Sequence, residues 1–252
     1  MIAFRRPPWW ALLLTVAGVL LFLRLGVWQL DRADFKEALL RRYAASVTAP
    51  LQHFAKVAAN PPGDRFPRVQ VSGRYLTDRV YLLDNPHHDE RGGVEVFVPF
   101  AAHAQSALLL VDLGFLAGNG SRQAPQLPPL PSTEVTLGGL YVPPPPIGLE
   151  MGGNALAAQT QWPKTSIFLD PGEISADLGR PLLPRVLALD ADPASIYVRH
   201  HTLDLSAMPP VRHRAYAFQW FSFAFAAVVI LLVLNRRKTM PRSRHPNDDE
   251  VR

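Results

Sequence analysis

His213, Tyr216 and Trp220 stand at i, i+3 and i+7, a spacing that gathers one imidazole and two flat rings on a single helix face. Two chemistries fit that trio. Amphipathic rings collect at headgroup level in membrane proteins, which makes it an interfacial belt. An imidazole is also a good axial ligand for haem iron, flat rings suit a porphyrin, and basic neighbours suit its propionates. Arg212, Arg214 and Arg32 are placed for that last task. Spacing alone does not separate the two readings.

The remaining candidate groups carry less. His87-His88 and His200-His201 are adjacent pairs, and neighbours on a strand point to opposite faces, so each pair offers one ligand per site. A copper(I) carrier would want sulfur ligands, whereas the chain has no cysteine and only four scattered methionines. Loop or surface positions are expected for these histidines, and solvated loop charges for Asp89-Glu90. The lack of cysteine also excludes disulfides and thiol catalysis. There is no Gly-rich phosphate loop and no Gly-x-Ser-x-Gly elbow, and Gly118-Asn119-Gly120 reads as a turn. The chain is expected not to be an enzyme.

Two apolar segments must position the trio. Trp9 to Trp28 and Ala215 to Leu234 each reach the ~20 residues needed to cross a hydrocarbon core. The first is expected to be a retained anchor, because bulky helix formers follow Val27 where a cleaved signal would carry a small-x-small site. Leu25, Trp28, Arg32, Phe35 and Leu39 recur at helical spacing, so the first helix should continue to about Ala45 before Pro50 ends it. The motifs Trp28-Gln29-Arg32 and Tyr216-Gln219-Trp220 are expected to face each other where the helices leave the lipid.

Charge is distributed unevenly. Phe35 to Pro210 holds 14 Lys/Arg against 16 Asp/Glu, a net of −2, which leaves 12 basic and 5 acidic residues, a net of +7, at the two ends. The basic balance therefore belongs to membrane flanks and a nucleic-acid partner is not expected. Arg236, Arg237, Lys238, Arg242 and Arg244 form a cytoplasmic stop signal. Two spans put both termini on the same side, so the central domain is expected outside. The eight-residue leader leaves no room for a mitochondrial presequence, and a bacterial inner membrane is expected. The expected organisation is a cytoplasmic tail (1–8), a first transmembrane helix (9–28), its helical extension (29–46), a periplasmic β-rich domain (47–212), a second transmembrane helix (213–234) and a basic cytoplasmic tail (235–252).

The central stretch reads mainly as strands. Arg68 to Leu76 alternates strictly, and Thr77-Asp78 turns it into Arg79 to Leu83, a hairpin signature. Gly93 to Phe100 and Ser106 to Phe115 form a second pair. Glu134 to Val142, Pro184 to Leu189 and Ile196 to Leu203 complete the strands. Residues 118–131 and 143–146 are Pro- and Gly-rich loops. Asp170, Pro171, Glu173 and Gly179 mark the cap, first turn, capping box and end of one short helix. The fold class is thus a membrane protein whose two transmembrane helices flank a mainly antiparallel β domain. That domain is a small barrel or sandwich with one or two short helices.

Leu25-Gly26-Val27-Trp28-Gln29-Leu30-x-Arg32-x-x-x-Lys36 resembles the N-terminal signature of the surfeit-locus-1 family of cytochrome c oxidase assembly factors. His213-x-x-Tyr216-Ala217-x-Gln219-Trp220-Phe221 is similar to that family's C-terminal signature, and Gly92-Gly93-Val-x-Val-x-Val-Pro99-Phe100 to its central strand motif. The likeness runs in order over nearly the whole chain. It departs at Asp112-Leu113, before Gly114-Phe115, and at Val211-Arg212, before His213. The resemblance implies a haem-copper oxidase assembly factor that binds haem a, with cytochrome c oxidase subunit I and haem a synthase as partners. It implies His213 as the iron ligand, in a site shared with Tyr216, Trp220, Trp28, Gln29 and Arg32. A cofactor-free membrane scaffold that holds assembly intermediates is the alternative, and a periplasmic metal-binding or sensor module is a third.

Overall fold

α1 (Trp9–Val47) is a single helix of 39 residues. It forms because Leu, Ala and Val dominate its first half and Arg, Lys, Glu and Ala its second, with no proline to interrupt the hydrogen-bond ladder. It ends two residues past the expected Ala45, ahead of Pro50. In the computed structural model, residues 3–4, 6–58, 60–61, 63, 65–88, 91–118, 126–146, 153–199 and 208–237 are described. His200, His201, Asp89, Glu90, Asn119, Gly120, Lys238, Arg242 and Arg244 lie outside them.

In chain order the elements are β1 (Ala3–Phe4), α1, β2 (Gln52–His53), α2 (Phe54–Ala58), β3 (Arg68–Tyr75), β4 (Tyr81–His88) and β5 (Arg91–Ala102). There follow β6 (Leu108–Ala117), β7 (Val135–Val142), β8 (Lys164–Ser166), α3 (Pro171–Leu178), β9 (Leu182–Leu189), α4 (Pro210–Leu234) and β10 (Arg236–Arg237). They form two compact units. One contains Met1–Ala38 and Leu205–Arg252, the other Leu39–Asp204.

The first unit is built on α1 and α4, both long and apolar enough to cross a membrane. Their apolar side chains are open rather than packed into a core: Leu13 is 62% exposed, Phe218 75% and Phe225 72%. Surfaces of that size are left bare in water at high cost, and lipid is the solvent that covers them. The chain is a membrane protein.

The second unit is a small barrel, mostly antiparallel. Neighbouring strands run in the order β3, β7, β9, β6 and β5, and β5 returns to β3 through Gly73–Tyr75 opposite Phe100–Ala102. Closure pairs both edges of this ring, the edges that would otherwise recruit other chains. β4 and β8 extend the sheet beyond β5, and β2 lies beside β3. Alternation decides what lies inside. Val69, Val71, Val96, Val98, Leu109, Val111, Tyr141 and Leu187 meet in one core, whereas Tyr81, Phe97, Leu110 and Val186 face the other way. The second set is covered by Leu156, Leu169 and Ile174, the last on α3. With both faces covered, β6 reads as a continuous apolar run rather than an alternating one. A third cluster places Tyr43, from the end of α1, edge-on to Phe66 (4.9 Å between centroids) beside buried Leu140.

α3 starts where its cap signals say. Asp170 accepts from the Gly172 N–H at 2.7 Å, Pro171 opens the first turn, and Gly179 closes the helix in the left-handed region (φ 62°). The Glu173 carboxylate accepts from Asn154 Nδ2 at 2.6 Å, tying the capped turn to the preceding loop.

Two expectations are corrected. Thr77-Asp78 does turn the chain, with Arg79 N donating to the Leu76 carbonyl at 3.0 Å, but no β3–β4 hairpin forms. β4 pairs with β5 through Tyr81–Asp84 opposite Val94–Phe97, while the far end of the same twelve-residue β5 pairs with β3. One long strand thus takes both partners, and the turn only redirects the chain between them. Ile196–Leu203 is also not a strand over its described part, where Val198 alone bridges to Phe115. Among the described elements, β1, β2, α2, β8 and β10 were not anticipated by the sequence pattern, since each is five residues or shorter.

Candidate functional site: the seam between the two long helices

Phe22, Gly26, Gln29 and Ala33 repeat at four, three and four residues and so form one stripe along α1. On α4 the buried residues are His213, Ala217 and Ala224, with Trp220 between them half-buried. Contacts step in opposite directions along the two helices, so they pack antiparallel. Gln29 meets His213, Gly26 lies against Phe221, and Phe22 stacks on Trp220 (5.9 Å, 22°) and meets Phe223 edge-on (5.8 Å, 61°). Glycine and alanines bring the backbones close; this is the usual device for packing helices in lipid, where no hydrophobic force distinguishes helix from solvent.

Inside this seam sit three polar side chains. Gln29 Oε1 lies 2.6 Å from His213 Nδ1, and both residues are buried. His213 Nε2 and Trp220 Nε1 are buried with no hydrogen-bond partner among the described residues. An unpaired buried polar atom costs the desolvation it never recovers, so it calls for an explanation in function or in a missing ligand.

Just beyond the seam, charged groups tie the start of α4 to the middle of α1. Arg214 binds Glu37 at 2.8 Å and lies 3.9 Å from Asp34, and Lys36 Nζ donates to the Met208 carbonyl. Arg32 places its guanidinium over the Phe35 ring at 5.4 Å.

Of the six residues the sequence analysis gathered, His213, Gln29 and Trp220 turn into the seam. Trp28 (50% exposed), Tyr216 (44%) and Arg32 point out of it, and so does Gln219. The expected face-to-face meeting of the two motifs is thus corrected to a narrower one. Successive residues are rotated by about 100° in a helix, so Trp28 cannot share the stripe that Gln29 occupies. Arg214, expected near a propionate, is engaged by Glu37. Phe22 does not stand out by residue type, and its four-residue step to Gly26 is the signal in the sequence that marks it.

The β domain holds its own polar groups, most of them paired within the fold, although the buried Tyr141 hydroxyl has no partner among the described residues. Lys164 Nζ binds Asp177 Oδ1 at 2.5 Å and the Leu156 carbonyl at 2.8 Å, while Tyr81 OH donates to Asp177 Oδ2 at 2.9 Å. Arg68 and Asp190 form a two-pronged pair, with Nη2 to Oδ2 at 2.7 Å and Nε to Oδ1 at 3.1 Å. Asp112 accepts from the Gly114 N–H at 2.8 Å and shares a hydrogen bond with Glu95. Burial first, and then the Glu95 charge, push the Asp112 carboxyl well above the usual carboxylate range. Gly114 takes φ 112° here, and a Cβ on it would stand 2.8 Å from the Val198 carbonyl oxygen. None of these groups presents a nucleophile beside a free base. Among the described residues no three His, Asp or Glu side chains converge as a metal site. His87 and His88 lie on β4, opposite Gly92 and Arg91.

Known proteins match this chain over most of its length. The sequence model of the SURF1 family matches residues 16–225. A SURF1-like protein of Rickettsia bellii is 26% identical over 219 residues, covering 84% of this chain and 85% of the relative. A SURF1-like protein of Rickettsia conorii is 23% identical over 236 residues, covering 86% and 88%.

Proposed function

The chain belongs to the SURF1 family, a family of oxidase assembly factors, and on that premise we propose that it receives haem a and hands it to subunit I of a haem-copper cytochrome c oxidase. It does so as a carrier and not as an enzyme, taking the haem from haem a synthase. Its place is the bacterial inner membrane, with both termini cytoplasmic and the β domain periplasmic. The basic cluster at Arg236, Arg237, Lys238, Arg242 and Arg244 supports that orientation.

The observation that carries the reading is the orphan nitrogen of His213. A buried imidazole whose Nε2 has no partner is suited to a metal carried by a ligand. Trp28, next to Gln29 in the chain, and Tyr216, one turn from His213, offer exposed rings, and Arg32 an exposed cation, for a flat, dianionic macrocycle. Because Nε2 is enclosed, the seam has to part before iron reaches it. Affinity is then reduced by the fraction of time the seam is open, and weak holding suits a carrier that must release its cargo. The test is to purify the intact protein from a haem a-producing host and record its visible spectrum. A haem a absorption band that co-purifies with the protein is expected, and its absence in protein from an oxidase-competent host contradicts the reading.

The second reading is a cofactor-free scaffold for assembly intermediates. Exposed Trp28, Tyr216 and Phe218 favour it, since an outward aromatic surface on paired helices also suits a transmembrane partner.

A further inference from the structure

We infer that Gln29 is a positioning residue, whose side-chain carbonyl locks His213 in the Nδ1–H tautomer and so leaves Nε2 as the nitrogen with a free lone pair. The inference concerns the resting protein; only the identity of the ligand that Nε2 receives rests on the function proposed above.

A carbonyl oxygen carries no proton, so at 2.6 Å the proton of this contact has to come from Nδ1. The opposite tautomer fails on both sides of the ring. It would set the Nδ1 lone pair against the Gln29 oxygen lone pairs, and it would bury an Nε2–H with no acceptor. Turning the Gln29 amide over would let its NH₂ donate to Nδ1, but that also forces the proton onto Nε2 and leaves a buried, unmatched donor. Of the two arrangements that satisfy the Nδ1 contact, only the Nδ1–H form leaves an acceptor rather than a donor as its unmet group, and a free lone pair is what a ligating nitrogen needs.

Gln29 comes from α1 and His213 from α4, so the bond also fixes the rotation of the ring. Gly26 and Ala33, buried one turn to either side of Gln29, hold the amide in the stripe. A hydrogen bond from the far nitrogen of a ligating imidazole raises its donor strength and fixes which nitrogen binds.

The intact protein, labelled with ¹⁵N-histidine and placed in lipid nanodiscs without haem, gives a direct test by NMR at about pH 8, a value above the ordinary histidine range. The His213 signals are identified by their loss in His213→Ala. Nδ1 is expected to appear as a protonated, pyrrole-type nitrogen and Nε2 as a pyridine-type one. Gln29→Leu is expected to mix the two tautomers, and Gln29→Glu, which keeps an acceptor oxygen, to restore the single form. A pyrrole-type Nε2 in the wild type, or an unaltered single tautomer in Gln29→Leu, overturns the inference. Haem a added to the same three samples then reads the function separately. Binding is expected in wild type and Gln29→Glu, with the reduction potential lowered in Gln29→Glu and haem retention cut several-fold in Gln29→Leu. Wild type that has the expected tautomer but binds no haem supports the lock while contradicting the haem reading.

Discussion

Gly26 of α1 lies directly against the ring of Phe221 on α4, so closely that a Cβ built on Gly26 would stand 2.5 Å from Phe221 Cε1 and 2.7 Å from Cζ. Real side-chain atoms do not approach to that distance, so any other residue at position 26 forces the ring or the helix aside. The hydrogen bond between Gln29 and His213 is one turn away, which makes the fit at Gly26 a condition for the polar contact. Gly26→Val should lower the melting temperature of the protein in nanodiscs, at a cost of about 1–3 kcal/mol for overpacking. Combining it with Phe221→Ala should recover most of the loss. Equal melting temperatures for wild type and Gly26→Val would place the two helices apart.

How much of this was readable in advance depends on how local each feature is. The spans follow from apolar length alone, and α3 from Asp170, Pro171 and Gly179, three residues whose effects reach only one turn. Strand identity in Arg68–Tyr75 follows from alternation, but alternation does not name a partner, and the partner of β3 turned out to be β7 and the end of β5. The seam was half legible. His213 and Gln29 stood out by type, yet the face that packs is chosen by Gly26, Ala33, Ala217 and Ala224, whose smallness is easy to overlook beside tryptophan and tyrosine. Asp112 gave a signal that went unused: it is the one carboxylate in an otherwise apolar strand from Leu108 to Ala117.

Asp112 gives the β domain a pH dependence of definite sign. Its carboxyl is held above the ordinary range by burial and by Glu95, so the folded state binds this proton more tightly than the unfolded state. Stability therefore rises as pH falls through the raised value, levels off below the unfolded value of about 3.9, and is lost as pH increases. Thermal melts of the full-length protein between pH 5 and pH 8 should show this slope, and Asp112→Asn should flatten it while raising stability at the alkaline end. A steeper loss at high pH in Asp112→Asn would show that the ionised form is the one the fold prefers.

Lys164 and Asp177 fasten α3 to the sheet from a buried position. Lys164→Met leaves the Asp177 charge unmatched and should cost about 3–5 kcal/mol, the usual penalty for breaking a buried pair. Replacing both with apolar residues should recover much of it, because burial of the pair is itself costly; urea midpoints of the single and double variants measure the difference. A single variant as stable as wild type would mean that Asp177 reaches water.

Orientation can be read with reporter fusions. An alkaline phosphatase joined after Gly120 should be active, and one joined after Arg244 inactive, if both termini are cytoplasmic as the basic cluster at Arg236 and Arg237 implies. The reverse pattern would put the β domain in the cytoplasm and remove it from a periplasmic assembly step.

The central claim, that His213 holds the iron of a haem in transit, is tested most directly by the ratio of haem a to protein in purified wild type and His213→Ala. Removing the imidazole takes away the iron bond and leaves a small residue in a seam already lined by alanines, so expression and membrane insertion should persist. We expect haem a to fall to background in His213→Ala and active oxidase yield to fall with it, while His87→Ala and His200→Ala keep both. Haem a retained at the wild-type ratio in His213→Ala would contradict the account and leave the scaffold reading in its place.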